Sequence, residues 1–392
     1  MLKVPKVLLL IETSRGFGRL LLRGIAKYSR LHGPWTFYRM PAFYLDPGRK
    51  IREKELHSLE KWGVTGIIMR EVKNNEELIG MGVPVIVSTY IHQKVEGACE
   101  IYVNNKAIGE MAAEHLLRLG FKNFAFCGFD DFFWSKEREQ GFKERIKAAG
   151  FQTIVYKQPK SQVKRLWDNE QVILADWLKS LPKPIGLMAC IDERSQDVIE
   201  ACKTAGIYVP EEIAIIGGDN DDLICDLANP PLSSVAVSGV RAGYQAAELL
   251  DKLMAGKEEL AGQKIIVEPT HVEARQSTDI LAIDDREIVM AIRFIRQHAR
   301  EPIQVNDVVE ATRIGRRRLE KKFQRIVGRS VHDEIKQTRI EEVAKMLRNT
   351  NLSISVIAMT LGYSSVNNIA RYFRQEKGMS LLAYRNLYGG EK

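Results

Sequence analysis

Two stretches near the C-terminal end of this 392-residue chain repeat one another at a fixed interval. Leu319, Phe323, Gly328 and Ser330 recur as Ile369, Phe373, Gly378 and Ser380, each displaced by 50 residues. In both copies the aliphatic residue lies four positions before the phenylalanine, so the pair shares one helix face and packs inward. The glycine that follows suits a left-handed helix cap. Each copy has a short apolar helix, a tight turn, and a second helix with one apolar stripe and one basic or amide-rich face. The stretches run Val305–Gly328 and Ile354–Gly378. That arrangement is the helix-turn-helix pattern, whose second helix enters the major groove of DNA. Two copies in register within a small region leave little room for another fold there.

Charge follows the same division. Residues 285–392 hold 21 Lys and Arg against 12 Asp and Glu, a net of +9, whereas residues 1–284 hold 37 against 38, a net of −1. The basic excess therefore sits wholly in the repeated region, as expected for a surface that meets phosphate. A merely solvated basic face is the plain alternative, and the repeat argues against it. Within the first copy, Arg316, Arg317 and Arg318 open the second helix, with Lys321 and Lys322 one turn on. Arginine can read guanine with two hydrogen bonds, while lysine and the remaining arginines neutralise phosphate. In the second copy Asn367, Asn368 and Arg371 take the matching places, and asparagine suits adenine.

Residues 6–277 have a different rhythm. Short continuous apolar runs, among them Lys6–Ile11, Gly66–Met69, Pro84–Val87, Ile185–Ala189 and Ile213–Gly217, alternate with amphipathic helical stretches. Apolar strands between helices imply parallel sheets covered on both faces, an α/β fold. About 270 residues exceed one such sheet, so two lobes are expected. Ligands of open α/β sheets sit outside the carboxyl ends of the strands. The loops to watch are therefore 12–19, 88–92, 104–105, 128–138, 191–194 and 218–222, which are rich in Asp, Asn, Arg, Ser and Trp. Carboxylates and amides bond paired hydroxyls and an indole stacks on an apolar ring face, so these loops suit a small sugar. Trp134, inside Asp130-Asp-Phe-Phe-Trp134, could instead be plain core; Lys136 and Arg138 beside it favour a lid over a site.

Other chemistry is poorly supported. Gly16-Phe-Gly18 follows the first strand, but a third glycine is missing and no acidic residue clearly ends the next strand, so a dinucleotide loop is a weak reading. There is no GxxxxGK[ST], GxSxG or HExxH. Asp192, Asp219, Asp221 and Asp222 lack the partners of a catalytic constellation; no enzyme activity, cofactor or metal is expected. The longest apolar run near the start, Val7–Ile11, is too short for a membrane span or a signal-peptide core. Five cysteines without a CxxC pair read as reduced thiols, which places the expected site of action in the cytoplasm.

The C-terminal region resembles the AraC family of regulators. The residues that carry the resemblance are Gly362-Tyr-Ser-Ser, Arg371, Phe373, Lys377, Gly378, Ser380 and Tyr384-Arg385. Leu381 stands where that family usually has proline, and Asn367-Asn368 where Ser-Tyr is common. Residues 1–277 look like a periplasmic-binding-protein-like sensor of the LacI type, on Gly206–Asp219, Leu232-Ser-Ser-Val, Gly243–Leu250, Arg138 before Gly141-Phe142, and Val272–Thr278. A sensor first and an AraC-type reader last is similar to the xylose operon regulator group. The resemblance implies sugar contacts from Trp134, Arg138, Asp192, Asp219 and Asn220, with Glu12 and Ser88 as secondary candidates. It further implies D-xylose or a related sugar as ligand, a double-stranded DNA operator, RNA polymerase as partner, and a homodimer that activates pentose-utilisation genes without a membrane.

The expected organisation is a sensor over 1–277, a linker over 278–284, and a DNA-binding region over 285–392. Repression, or response to another sugar, is the alternative within this class. A sugar-acting enzyme or a transport binding protein is the alternative outside it.

Overall fold

The computed structural model describes residues 4–39, 53–70, 75–88, 98–161, 163–257, 262–283 and 285–388. By contacts the chain divides into Met1–Leu116 with Lys122–Asp279, and Leu117–Phe121 with Ile280–Lys392. The boundary falls after Asp279, and Thr278 is buried in the first unit, where its hydroxyl meets Ser233 and His115.

The first unit holds two six-stranded sheets. Sheet one is built from β1 (Lys6–Leu10), β2 (Thr36–Arg39), β3 (Gly66–Arg70), β4 (Val85–Ser88), β5 (Cys99–Val103) and β11 (Lys264–Val267), in the order β11-β5-β4-β3-β1-β2. Every pairing in it is parallel. Sheet two is built from β6 (Phe124–Cys127), β7 (Thr153–Val155), β8 (Ile185–Ala189), β9 (Ile213–Asp219), β10 (Ser233–Val237) and β12 (Pro269–Glu273), in the order β12-β10-β9-β8-β6-β7. It is parallel except for the β10–β12 pair. The chain crosses between the sheets three times: after β5, after β10 and after β11. Strands β1, β3, β4, β6 and β8 are buried almost throughout, as both-face coverage by helices requires.

The helices of this unit are α1 (Gly16–His32), α2 (Glu53–Trp62), α3 (Asn75–Ile79), α4 (Asn105–Arg118), α5 (Phe133–Ala148), α6 (Trp167–Ser180), α7 (Asp192–Ala205), α8 (Asp222–Leu227) and α9 (Gly239–Met254). Two close crossings fix the walls of the cleft. A Cβ on Gly24 of α1 would collide with the Val240 carbonyl of α9, and one on Gly243 with the Leu21 carbonyl. In the other lobe, a Cβ on Gly141 of α5 would collide with the Lys106 carbonyl of α4, and one on Gly109 with the Arg138 carbonyl. The two crossings are the same device used twice, so Leu21 and Arg138 occupy equivalent places. Phe17 and Trp134, each seven residues before its helix's glycine, are equivalent as well.

The second unit is helical: α10 (Arg286–Gln297), α11 (Val305–Thr312), α12 (Arg316–Val327), α13 (Val331–Asn349), α14 (Ile354–Thr360), α15 (Val366–Lys377) and α16 (Leu381–Tyr388). Its caps are locally encoded: Asp285, Ser330, Ser353 and Ser365 side chains accept from the first turns of α10, α13, α14 and α15. Gly328 and Gly378 end α12 and α15 at φ 82° and 70°, where a Cβ would be strained. Leu319 and Phe323 enter one apolar core with α10 and α11, and Ile369 and Phe373 enter a second with α13 and α14. Burying each phenylalanine contributes about 2–3 kcal/mol. The 50-residue repeat is therefore a repeat of two small cores.

Candidate functional site: a compensated cleft and a basic reader

The ends of the strands of both sheets line a partly open cavity of about 90 Å³.

Glu12, Ser88, Trp134, Arg138, Asp192 and Asp219 all line it. The lining also takes in Arg15, Phe17, Leu21, Arg70, Asn105, Glu193 and Asp221, which motif reasoning did not single out as ligand contacts. Positions 89–92, expected to contribute a loop, lie outside the described residues.

Asn220 lies apart from the other expected contacts. Its side-chain oxygen accepts from Arg275 at 2.9 Å, its backbone N–H donates to Ser234 at 3.0 Å, and it does not line the cavity. The left-handed turn at Asp219 (φ 92°) and Asn220 (φ 49°) carries the two neighbouring side chains to different surroundings. Such backbone is held only where its surroundings over-determine it, and it concentrates at functional sites.

Trp134 and Asp192 are corrected in a smaller way. Both were expected in loops, and both lie in the first turn of a helix, α5 and α7. Phe132 and Ile191 precede those helices without any side-chain cap, so the usual Ser, Thr, Asp or Asn start marker is missing from the sequence. Being helical makes both residues more rigid than loop residues. Trp134 stacks on Phe132 with centroids 5.5 Å apart and lies 5.5 Å from the Arg138 guanidinium carbon.

Arg138 is the hub of the second lobe's wall. It is buried, and its guanidinium donates to Asp219 (2.7 Å), the Cys190 carbonyl (2.6 Å) and Asn105 (3.1 Å). Asp192, fully buried, accepts from the Ser234 hydroxyl (2.5 Å) and the Asp221 backbone N–H (2.7 Å). Burial, reinforced by the nearby Asp219 charge, pushes its carboxyl well above the ordinary range, against the pull of its two hydrogen-bond donors. The other carboxylates of the cleft each meet a guanidinium: Glu12 meets Arg70, Asp219 meets Arg138, Asp221 meets Arg19, and Glu193 meets Arg15 at 3.9 Å. Asp192 apart, every carboxylate of the site is matched by a guanidinium, so the cleft presents donors and acceptors whose charges are largely compensated.

The reading helices have the opposite character. On α12, Arg317 and Lys321 are exposed and make no hydrogen bond or ion pair among the described residues. Arg316 is exposed and reaches Asn306 at 3.2 Å. Lys322 is held by Asp285 (2.7 Å) and by Glu287, and Arg318 leans on Glu287 at 3.4 Å, so these two face α10. On α15, Asn367 and Arg371 are exposed, and Arg371 rests on Tyr372. Asn368 is half-buried and donates to Ser364 at 2.9 Å.

Comparison with known proteins joins the two halves. Residues 113–278 match the periplasmic binding protein-like domain family, and residues 308–387 match a helix-turn-helix domain family. The xylose operon regulatory protein of Escherichia coli K12 is 30% identical over 394 residues, covering 98% of each chain. The chain belongs to the family of xylose operon regulatory proteins. A Haemophilus influenzae member is 33% identical over 288 residues, covering 73% of this chain and 74% of its own. The solved structure of the xylose-binding transcription activator XylR superposes with a TM-score of 0.61 at 28% identity, covering 99% of this chain and 100% of that one. A LacI-family regulator from Enterococcus faecium, solved with bound ribose, shares the sensor fold (TM-score 0.55, 24% identity, 71% of this chain and 100% of that one). As a member of this family the chain is a DNA-binding transcription regulator, a non-enzyme class. No helix among the described residues is long and apolar enough to cross a membrane.

Proposed function

We propose that the cleft of the first unit binds D-xylose or a closely related pentose, and that binding changes the protein's hold on operator DNA so as to activate pentose-utilisation genes. The observation that carries this reading is the charge-compensated cavity. An anion or cation would face carboxylates and guanidiniums that already satisfy one another, whereas a neutral polyol can bond to both without leaving an ion unpaired. Phe17 and Trp134, at equivalent positions of the two lobes, offer apolar faces to a pyranose ring. Glu12, Ser88, Arg138, Asp192 and Asp219 supply the polar contacts.

Binding can act on DNA only through different affinities for two states of the protein, so sugar and operator must each strengthen or weaken the other by the same factor. The two reading helices would meet successive major-groove segments about one turn, roughly 10 bp, apart. Arg316, Arg317 and Lys321 would serve the first segment, and Asn367, Asn368 and Arg371 the second. A homodimer would double that footprint, RNA polymerase would be the downstream partner, and the cytoplasm would be the place of action. Activation is preferred over repression because the structurally similar XylR is described as a xylose-binding activator.

The test is a calorimetric titration of the full chain with D-xylose, L-arabinose, D-ribose and D-glucose, followed by operator binding with and without the best ligand. Saturable binding of xylose above the others, with a shift in operator affinity, is expected. Equal or absent binding across the panel overturns the assignment.

A further inference from the structure

Asp221 sits where the two lobes meet. It lies between β9 and α8 in the second lobe, lines the cavity, and is 4% exposed. Its position is locked from its own side: its backbone N–H donates to Asp192, and its Oδ1 accepts from Leu223 N–H at 3.2 Å to cap α8. From the other side, Arg19 of α1 in the first lobe donates to the same Oδ1. Its Oδ2 is buried and accepts no hydrogen bond.

The start of α1 is shaped around this carboxylate. Gly16 is the first helical residue, and a Cβ there would lie 2.8 Å from the Asp221 Cβ and 2.9 Å from its Cγ, so any larger residue would push the lobes apart. Helix α1 has no side-chain cap and no acidic residue in its first turn. The positive end of a 17-residue helix thus lacks a negative partner of its own and finds one in the opposite lobe.

We propose that Asp221 is the clasp of the cleft: its Oδ1 ties α1 to the second lobe through Arg19, and its Oδ2, with almost no accessible surface, is sealed against the start of α1. Both contacts exist only when the lobes are together. In the open cleft Asp221 is hydrated and loses both Arg19 and the end of α1, so the clasp sets how firmly the lobes hold a bound ligand. This rests on the polyol reading of the cavity but makes its own demand, that the lobes separate when the clasp is weakened.

The experiment uses full-length protein with nitroxide labels at Leu31→Cys on α1 and Lys203→Cys on α7, one exposed position in each lobe. The five native cysteines are buried and stay unlabelled. Inter-label distances are measured with and without D-xylose, beside calorimetry, for the otherwise unaltered chain and for Asp221→Asn, which keeps the α8 cap but not the ion pair. The expected result is a longer or broader distance distribution in Asp221→Asn without sugar, and at least about a ten-fold loss of sugar affinity. Gly16→Ala, which leaves every charge in place, is expected to open the cleft in the same way. If both variants match the unaltered chain in distance and affinity, the clasp is wrong. If the unaltered chain binds no sugar while both variants still open the cleft, the clasp stands and the polyol reading falls.

Discussion

The cleft and the reading helices use the same residue types in opposite ways. In the cleft every arginine that lines the cavity has a carboxylate partner, and the one carboxylate without a cation, Asp192, is buried where its charged form is disfavoured. On α12, Arg317 and Lys321 stand exposed with no acid to answer them among the described residues. A ligand completes what a surface leaves open. Compensated charges leave only hydrogen bonds to be made and select a neutral polyol. Uncompensated charges select a polyanion, whose affinity comes from released counterions. The difference therefore separates the two ligands by physics before any family resemblance is used.

The largest test of that contrast is ionic strength. If about six to ten phosphates are contacted, operator affinity should fall roughly 10³–10⁵-fold between about 50 and 200 mM salt. Sugar affinity measured calorimetrically over the same range should barely change. A flat operator response, or a steep sugar response, would remove the distinction.

Next in size is Arg138→Met. It strands Asp219 beside the cavity and breaks a buried pair, at a cost of about 3–5 kcal/mol in denaturant-measured stability, with sugar binding lost. Arg317→Ala should cost operator binding about 1–3 kcal/mol and reduce its salt slope, leaving sugar affinity as it was. Lys322→Ala should cost the operator less than Arg317→Ala, because Lys322 is already held by Asp285 and Glu287. Equal losses would mean that α10 releases Lys322 on DNA.

Trp134→Ala should weaken sugar binding by about 1 kcal/mol beyond the area it buries, read by titration. The smallest effect concerns Asp192. Its folded carboxyl titrates above the unfolded one, so its contribution to stability is complete below the ordinary carboxylate range and is lost as pH rises through the raised folded value. Asp192→Asn can still accept from Asp221 and donate to Ser234, so thermal unfolding of this variant should lack that component of the pH dependence. An unchanged pH profile would show that Asp192 is ionised in the native cleft.

Several features were legible in the residues alone because they are periodic or local. Strand–helix alternation gave the α/β class, the 50-residue offset gave the paired readers, and Ser330, Ser353, Ser365, Gly328 and Gly378 mark helix ends by short-range hydrogen bonding and backbone preference. Six of the seven expected sugar contacts line one cavity, since strand ends on two sheets are natural ligand positions. Helix starts were read too late at α5 and α7 because Phe132 and Ile191 carry no capping side chain.

What the sequence determined by itself was composition of the parts: two sheets' worth of apolar strands, two small helical cores, and a basic excess confined to the last quarter. Only the tertiary structure decided which charge meets which. Glu12 finds Arg70 across 58 residues and Arg19 finds Asp221 across 202, while Asn220, next to a cavity-lining aspartate, turns to Arg275 instead. Contacts of that range obey no sequence period. They depend on how the strands are ordered in a sheet and how closely two helices cross, and Gly16, Gly24, Gly109, Gly141 and Gly243 show the reason for their necessity only once the backbone that faces them is in place.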